Sequence, residues 1–179
     1  MKYSRQYDSP LGRIMMSSNG RALTGLWFEG QKYAPRTDGF LRGPENLPVF
    51  EETGRWLDLY FSGKMPDFAP DLEPEGTPFR QAVWKILLTI PCGETVTYGQ
   101  IANLLAQGGE FQRPSARAVG GAVGHNPISL IIPCHRVIGT DGSLTGYAGG
   151  IWRKKALLAM EAGETAEVLP KDPASPEQA

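Results

Sequence analysis

Prolines recur at every fourth position, Pro66, Pro70, Pro74 and Pro78, through the stretch KMPDFAPDLEPEGTP at residues 64–78. Proline lacks a backbone N–H and biases the preceding residue away from the helical region, so neither a long helix nor a central strand can run through. Four carboxylates and one glycine in the same stretch add solvation and freedom. The 179-residue chain is thereby divided into an N-terminal domain, 1–75, and a second domain, 76–163. The last stretch, ETAEVLPKDPASPEQA at 164–179, is acidic and rich in Pro and Ala, and it reads as a disordered tail.

The two halves differ in grammar. From the start to Gly30, three β-prone runs are separated by SPLG and SNGR, which predicts a small antiparallel meander. Residues 34–48 read as loop, and PVFEETGRWLDLYFSGK reads as a helix stopped at Ser62-Gly63. Beyond the proline stretch the pattern turns helical. Thr77 is a cap candidate, Pro78 suits the first turn, and Phe79, Val83, Ile86, Leu87 and Ile90 fall on one face. Thr97 is a plausible cap for a second helix, and a third begins near Pro114-Ser115 and ends in glycines. Helix, turn and short helix is helix-turn-helix grammar. The third helix is nearly free of bulk: Ala116, Ala118, Gly120, Gly121 and Ala122 can pack tightly on a neighbouring helix or press close to another surface. Arg117 is its one long side chain, either solvated or able to reach into a DNA groove.

Charge narrows the partners little. Residues 1–77 hold 9 Lys/Arg against 11 Asp/Glu, whereas 78–163 hold 8 against 4, so only the second domain carries a positive excess. That permits a polyanionic partner without requiring one. Two cysteines, Cys92 and Cys134, and no CxxC pair exclude a disulfide framework and a four-thiolate zinc site, and suit a reducing, cytoplasmic setting. No apolar run approaches the length of a membrane span, and the first twenty residues contain no signal-peptide core.

The chemistry concentrates in ISLIIPCHRVIG, residues 128–139. ISLII has strand length and should be buried, and Pro133 ends sheet pairing there. Cys134 follows with His135 and Arg136 beside it, and nearby cations favour the nucleophilic thiolate. In extended chain, neighbouring side chains point to opposite faces, so Cys134 and His135 need a kink or a bridging water. Glu161 is the candidate to orient His135, and Asn126 is a second polar neighbour. The glycine loop GSLTGYAGG reads as a connector or as a pocket wall closed by Tyr147, and Trp152-Arg153-Lys154-Lys155 reads as a solvated helix start. These residues suit a thiol hydrolase, a DNA binder with a redox-active Cys134, or a group acceptor.

IIPCHRVIG, with ARAVGGAVGHNP before it and GYAGG and LLAMEAG after it, closely resembles the O6-alkylguanine-DNA alkyltransferases, the methylated-DNA–protein-cysteine methyltransferases. DSPLG and ALTGLWF are similar to that family's first domain. The resemblance implies a mixed α/β (α+β) protein, with a small RNase-H-like β-rich N-terminal domain and a winged-helix-like catalytic domain. It implies a monomer, without metal or cofactor, that repairs double-stranded DNA containing O6-alkylguanine by flipping the base out. Cys134 would accept the alkyl group irreversibly, one per molecule. His135 would take the thiol proton through a water, Glu161 would polarise His135, and Asn126 would bond within the active-site turn. Tyr98 would help rotate the nucleotide and protonate the departing guanine. Tyr147 and the Ala148 backbone would wall the pocket, and the Val137 carbonyl would read the guanine amine. Arg117 would fill the gap in the base stack, with Ala116 and Gly120 on the same DNA-facing helix. Ala148 stands where some relatives carry serine, so its backbone N–H must serve. Met160 stands where many members carry histidine, and the 106–115 turn is longer than in some, which leaves the contacts around Arg113 open. The range of alkyl groups, activity on O4-methylthymine and cooperativity along DNA are not fixed by these motifs.

Overall fold

The expected meander forms from β1 (Tyr3–Ser9), β2 (Gly12–Ser18) and β3 (Leu23–Phe28), paired antiparallel in that order. The computed structural model describes residues 1–164 and 172–173, so the tail expected to be disordered lies almost wholly outside the described residues. Both turns have a local cause. Gly12 supplies φ 112° after Ser9-Pro10-Leu11, and in the second turn Asn19 Oδ1 accepts the N–H groups of Arg21 (3.0 Å) and Ala22 (2.9 Å) around Gly20. Residues 34–48, expected as loop, hold a further strand, β4 (Leu41–Arg42), parallel to β1 at the sheet edge. Two residues are too few to leave a periodic signal.

Helix α1 (Pro48–Phe61) buries Val49, Phe50, Thr53, Trp56, Leu57 and Tyr60 at three- and four-residue spacing, and packs on β1 and β2. Each large side chain so buried contributes about 1.5–3 kcal/mol. Residues Pro127–Ile131 cluster with this first unit, Met1–Glu75. Here the expected strand is corrected. Only Ile128 makes a bridge, to Leu26, after which Leu130 takes φ 71° and Ile131 N–H donates back to Ser129 O (2.9 Å). The segment is therefore a buried turn flanked by Pro127 and Pro133. A left-handed leucine costs about 1–3 kcal/mol; full burial of Ile128 and Leu130 opposes that cost.

The second unit spans Gly76–Asn126 and the residues from Ile132 onward. Its first helix, α2 (Pro78–Leu87), is capped by Thr77, whose hydroxyl accepts Arg80 N–H at 3.2 Å. Val83, Trp84 and Leu87 are its buried face, and Ile90 is buried just beyond its end. Helix α3 (Tyr98–Gln107) starts with a reciprocal capping box between Thr97 and Gln100. Ser115 caps α4 (Ala116–Gly124). Helix α4 turns Val119, Ala122 and Val123 inward, against α2 and α3, and leaves Ala116, Arg117, Ala118 and Gly121 exposed. Ala122 thus allows close helix packing, while Ala116, Ala118 and Gly121 add little side-chain bulk to the exposed face that carries Arg117. Strands β5 (Val96–Thr97) and β6 (Val137–Ile138) pair in parallel, and α5 (Ile151–Glu161) closes the unit, which gives the helices-plus-small-sheet arrangement of a winged helix.

Candidate active site

Cys134, His135 and Arg136 form one 3-10 turn immediately after Pro133, held by Arg136 N–H donating to Pro133 O at 3.0 Å. Three residues per turn place successive side chains about 120° apart rather than 180° apart. The opposite-face difficulty expected of an extended chain is thereby removed by the backbone. Asn126 sets the neck of this turn: its amide donates to Ile132 O at 2.8 Å, and its side chain also hydrogen-bonds the Cys134 sulfur.

His135 is completely buried, with Nε2 2.7 Å from Glu161 Oε1. Arg136 grips the same carboxylate with two bonds of 2.8 Å, from Nε to Oε2 and from Nη2 to Oε1, while its Nη1 donates to Ile90 O at 2.7 Å. Burial pushes the Glu161 carboxyl upward, but the hydrogen bonds and charges of His135 and Arg136 more than offset this and hold it well below the usual carboxylate range. An ionised carboxylate only accepts, so His135 Nε2 carries the proton and Nδ1 presents its lone pair. Nδ1 is buried and makes no hydrogen bond to the protein among the described residues. Burial lowers the histidine's pKa, outweighing the opposite pull of Glu161, so the imidazole is neutral at physiological pH.

Cys134 is 6% exposed, and burial raises its thiol pKa; the Asn126 hydrogen bond and the charge of Lys154 act the other way. The resting pair is therefore thiol and neutral imidazole. Arg136 does not act on the sulfur as its sequence position suggests, because Glu161 neutralises it. The buried cation acting on the sulfur is Lys154, which sequence reading placed in a solvated helix start. It is fully buried, and its Nζ donates to Val137 O at 2.5 Å and to Gly146 O at 3.3 Å. Its position four residues from Gly150, at the buried spacing shared with Ala156 and Leu157, gave only a faint signal of this.

Two tyrosines share the site. The Tyr147 hydroxyl is buried without a hydrogen-bond partner among the described residues, and burial and the nearby Cys134 sulfur raise its pKa far above normal. Tyr98 donates to Thr145 O at 3.1 Å and is likewise raised, by burial first and Cys134 second. Ala148 is half-buried beside Tyr147, and the carbonyl of the buried Val137 is the one that Lys154 holds. Gly120 lies near Tyr98: a Cβ placed on it would meet the ring at 3.8 Å. Ala116 and Arg117 stand exposed at the first turn of α4, whereas Cys134 and His135 are buried. Arg113, in the long turn between α3 and α4, donates to Asn103 Oδ1 at 2.8 Å. Cys92 is exposed.

Residues 2–74 match the family model of the 6-O-methylguanine DNA methyltransferase ribonuclease-like domain, and residues 78–163 that of the 6-O-methylguanine DNA methyltransferase DNA binding domain. A methylated-DNA–protein-cysteine methyltransferase of Mycobacterium tuberculosis is 46% identical over 161 residues, spanning 90% of this chain and 93% of that protein. The Haemophilus influenzae protein of the same name is 44% identical, over 89% and 86%. The crystal structure of Mycobacterium tuberculosis OGT in complex with DNA superposes with a TM-score of 0.83 at 42% identity, covering 95% of this chain and 99% of that one. With both of its halves matched and relatives this similar along nearly their whole length, the chain belongs to the 6-O-methylguanine DNA methyltransferase family.

Proposed function

We propose that this protein repairs alkylated DNA by moving the alkyl group of O6-alkylguanine onto Cys134. One observation carries the assignment of roles: a buried His135 whose Nε2–H is fixed by Glu161 and whose free Nδ1 lies on the residue next to a buried cysteine. That is a general base awaiting a thiol proton.

The reaction needs little else. His135 Nδ1 takes the Cys134 proton through one bridging water. The sulfur attacks the alkyl carbon, the S–C bond forms as the C–O6 bond breaks, and the electron pair passes to the purine. Guanine regains one proton from Tyr98, whose hydroxyl exchanges its bond to Thr145 O for one to the base, and the proton held on His135 returns through water to Tyr98, so that one proton moves in all. The product thioether is a poor leaving group, so one molecule repairs one lesion. The target base must leave the duplex to reach a cysteine this buried. Tyr147, Ala148 and the Val137 carbonyl receive it, and α4 offers its bulk-free exposed residues to the groove, with Arg117 taking the vacated place in the stack. Ala116 and Gly120 admit the close approach, and the positive excess of residues 78–163 suits sequence-independent phosphate contact. The protein acts as a monomer in the cytoplasm.

Intact-protein mass after incubation with an O6-methylguanine duplex tests this reading. The wild type gains one methyl group and then stops, and Cys134→Ser gains none. A protein that binds the duplex yet leaves the methyl on the DNA overturns the proposal in favour of a winged-helix DNA binder. Continued turnover of an ester or amide points instead to a thiol hydrolase.

A further inference from the structure

Lys154 is fully buried, yet no carboxylate among the described residues lies within ion-pair distance of it. Among the described residues its hydrogen-bond partners are the carbonyls of Val137 at 2.5 Å and Gly146 at 3.3 Å. They belong to the strand that follows the cysteine turn and to the loop that carries Tyr147. Buried ammonium groups are ordinarily matched by an anion. The other charges of the site are already accounted for. Glu161 answers Arg136, His135 is neutral, and Tyr98 and Tyr147 stay protonated. Arg153, on the same helix, donates to Gly149 O and lies over the Trp152 ring. The Cys134 sulfur can supply negative charge here: it opens the turn that runs directly into Val137, whose carbonyl Lys154 holds.

Resting on the alkyl-transfer reading above, we propose that Lys154 is a positioning residue for that reaction: its buried ammonium is the counter-charge of the Cys134 thiolate and, through its bond to Val137 O, it fixes the carbonyl that faces the purine amine. When the thiol proton moves to His135 Nδ1, the sulfur gains its negative charge beside a cation that needs no reorganisation to receive it. His135 supplies the base and Lys154 the field. Transfer then turns the sulfur into a neutral thioether, and the ammonium keeps its carbonyls but loses its counter-charge.

The test uses the full chain in a Cys92→Ser background, so that Cys134 is the single thiol. Lys154→Met keeps the volume and removes the charge; Lys154→Arg keeps the charge. Alkylation by iodoacetamide is followed across pH, beside methyl transfer from an O6-methylguanine duplex. An opposite charge shifts a pKa by about 1–3 units. For Lys154→Met the mid-point of the iodoacetamide profile should rise by about one unit or more, with about a tenfold or greater loss of rate near neutral pH and a plateau at high pH close to wild type. Lys154→Arg should keep the wild-type mid-point. A Lys154→Met profile that superimposes on wild type overturns the proposal. Should Lys154→Met fail to fold, the 15Nζ titration of Lys154 in the wild type decides: its pKa should fall once Cys134 is methylated, and an unchanged value overturns the idea. Failure of the alkyl-transfer reading is separately visible, because the wild type would then take no methyl from the duplex while the iodoacetamide profile still responded to Lys154.

Discussion

Replacing Glu161 by Gln keeps its size and removes its charge, and the consequences follow from three bonds. The carboxylate accepts from His135 Nε2 at 2.7 Å and from Arg136 Nε and Nη2 at 2.8 Å each. Its side chain is 2% exposed, so water cannot substitute. A glutamine has one accepting oxygen and an NH2 group. If the oxygen faces His135, the amide N–H groups oppose Arg136 Nε–H. If the amide is reversed, it donates to Nε2, and His135 must move its proton to Nδ1, where the base is needed. Either way Arg136 stays buried without its counter-charge, which costs about 3–5 kcal/mol. In a chain of this length that corresponds to a fall in Tm of roughly 6–20 °C. The wrong tautomer costs roughly four powers of ten in rate where a carboxylate–histidine pair has been neutralised in this way in a serine protease. Single-turnover transfer from a radiolabelled O6-methylguanine duplex, with protein in excess and below the variant's Tm, should therefore fall by at least about a thousandfold. A folded Glu161→Gln variant that transfers within tenfold of wild type would refute both the tautomer assignment and the role of His135 as base.

Other outcomes can be stated more briefly. Arg117→Ala removes an exposed side chain, so Tm should stay within a degree or two while transfer from duplex slows by tenfold or more and iodoacetamide reactivity of Cys134 is unchanged. Trp84→Phe deletes the indole N–H that donates to Ala122 O at 2.9 Å, a carbonyl in the last turn of α4; urea unfolding should report a loss of about 1–3 kcal/mol. The pH dependence of stability has a definite sign. His135 and Glu161 both have folded pKa values below their unfolded ones, so their contribution is intact above about pH 6.5. It is lost first as pH falls below that value and again below about 4.3, by at most about 1.4 kcal/mol per unit for each group. Burial raises the Cys134 thiol, so stability should also decline above about pH 8.5, and Cys134→Ser should move the onset of that decline to higher pH in a Tm series.

Much of this was legible before any coordinates. Thr77, Thr97 and Ser115 announced the starts of three helices, because an N-cap acts through its own side chain on N–H groups a few residues away. SPLG and SNGR announced their turns for the same local reason. What escaped the sequence was set by distant contacts. ISLII has a strand's composition, yet a left-handed Leu130 and a single bridge to Leu26 make it a turn. Arg136 and Lys154 were both visible as cations. Only the fold reveals that Arg136 is neutralised from α5, while Lys154, twenty residues after Cys134, lies buried against the carbonyls of Val137 and Gly146.

A nucleophile that cannot be regenerated gains from being inert until its substrate arrives, and the charges here produce that condition. Burial raises the Cys134 thiol and lowers the His135 imidazole, so both rest neutral and proton transfer between them is uphill. Glu161 and Arg136 cancel, and the charge of Lys154 does not by itself offset the burial that keeps the sulfur a thiol. The cost of separating charge is met only when a base fills the pocket, excludes water and lets the leaving purine collect the proton. Stray electrophiles without that proton-accepting group should therefore react slowly with Cys134 at neutral pH, and the selectivity for alkylated guanine resides as much in the protonation chemistry as in the shape of the pocket.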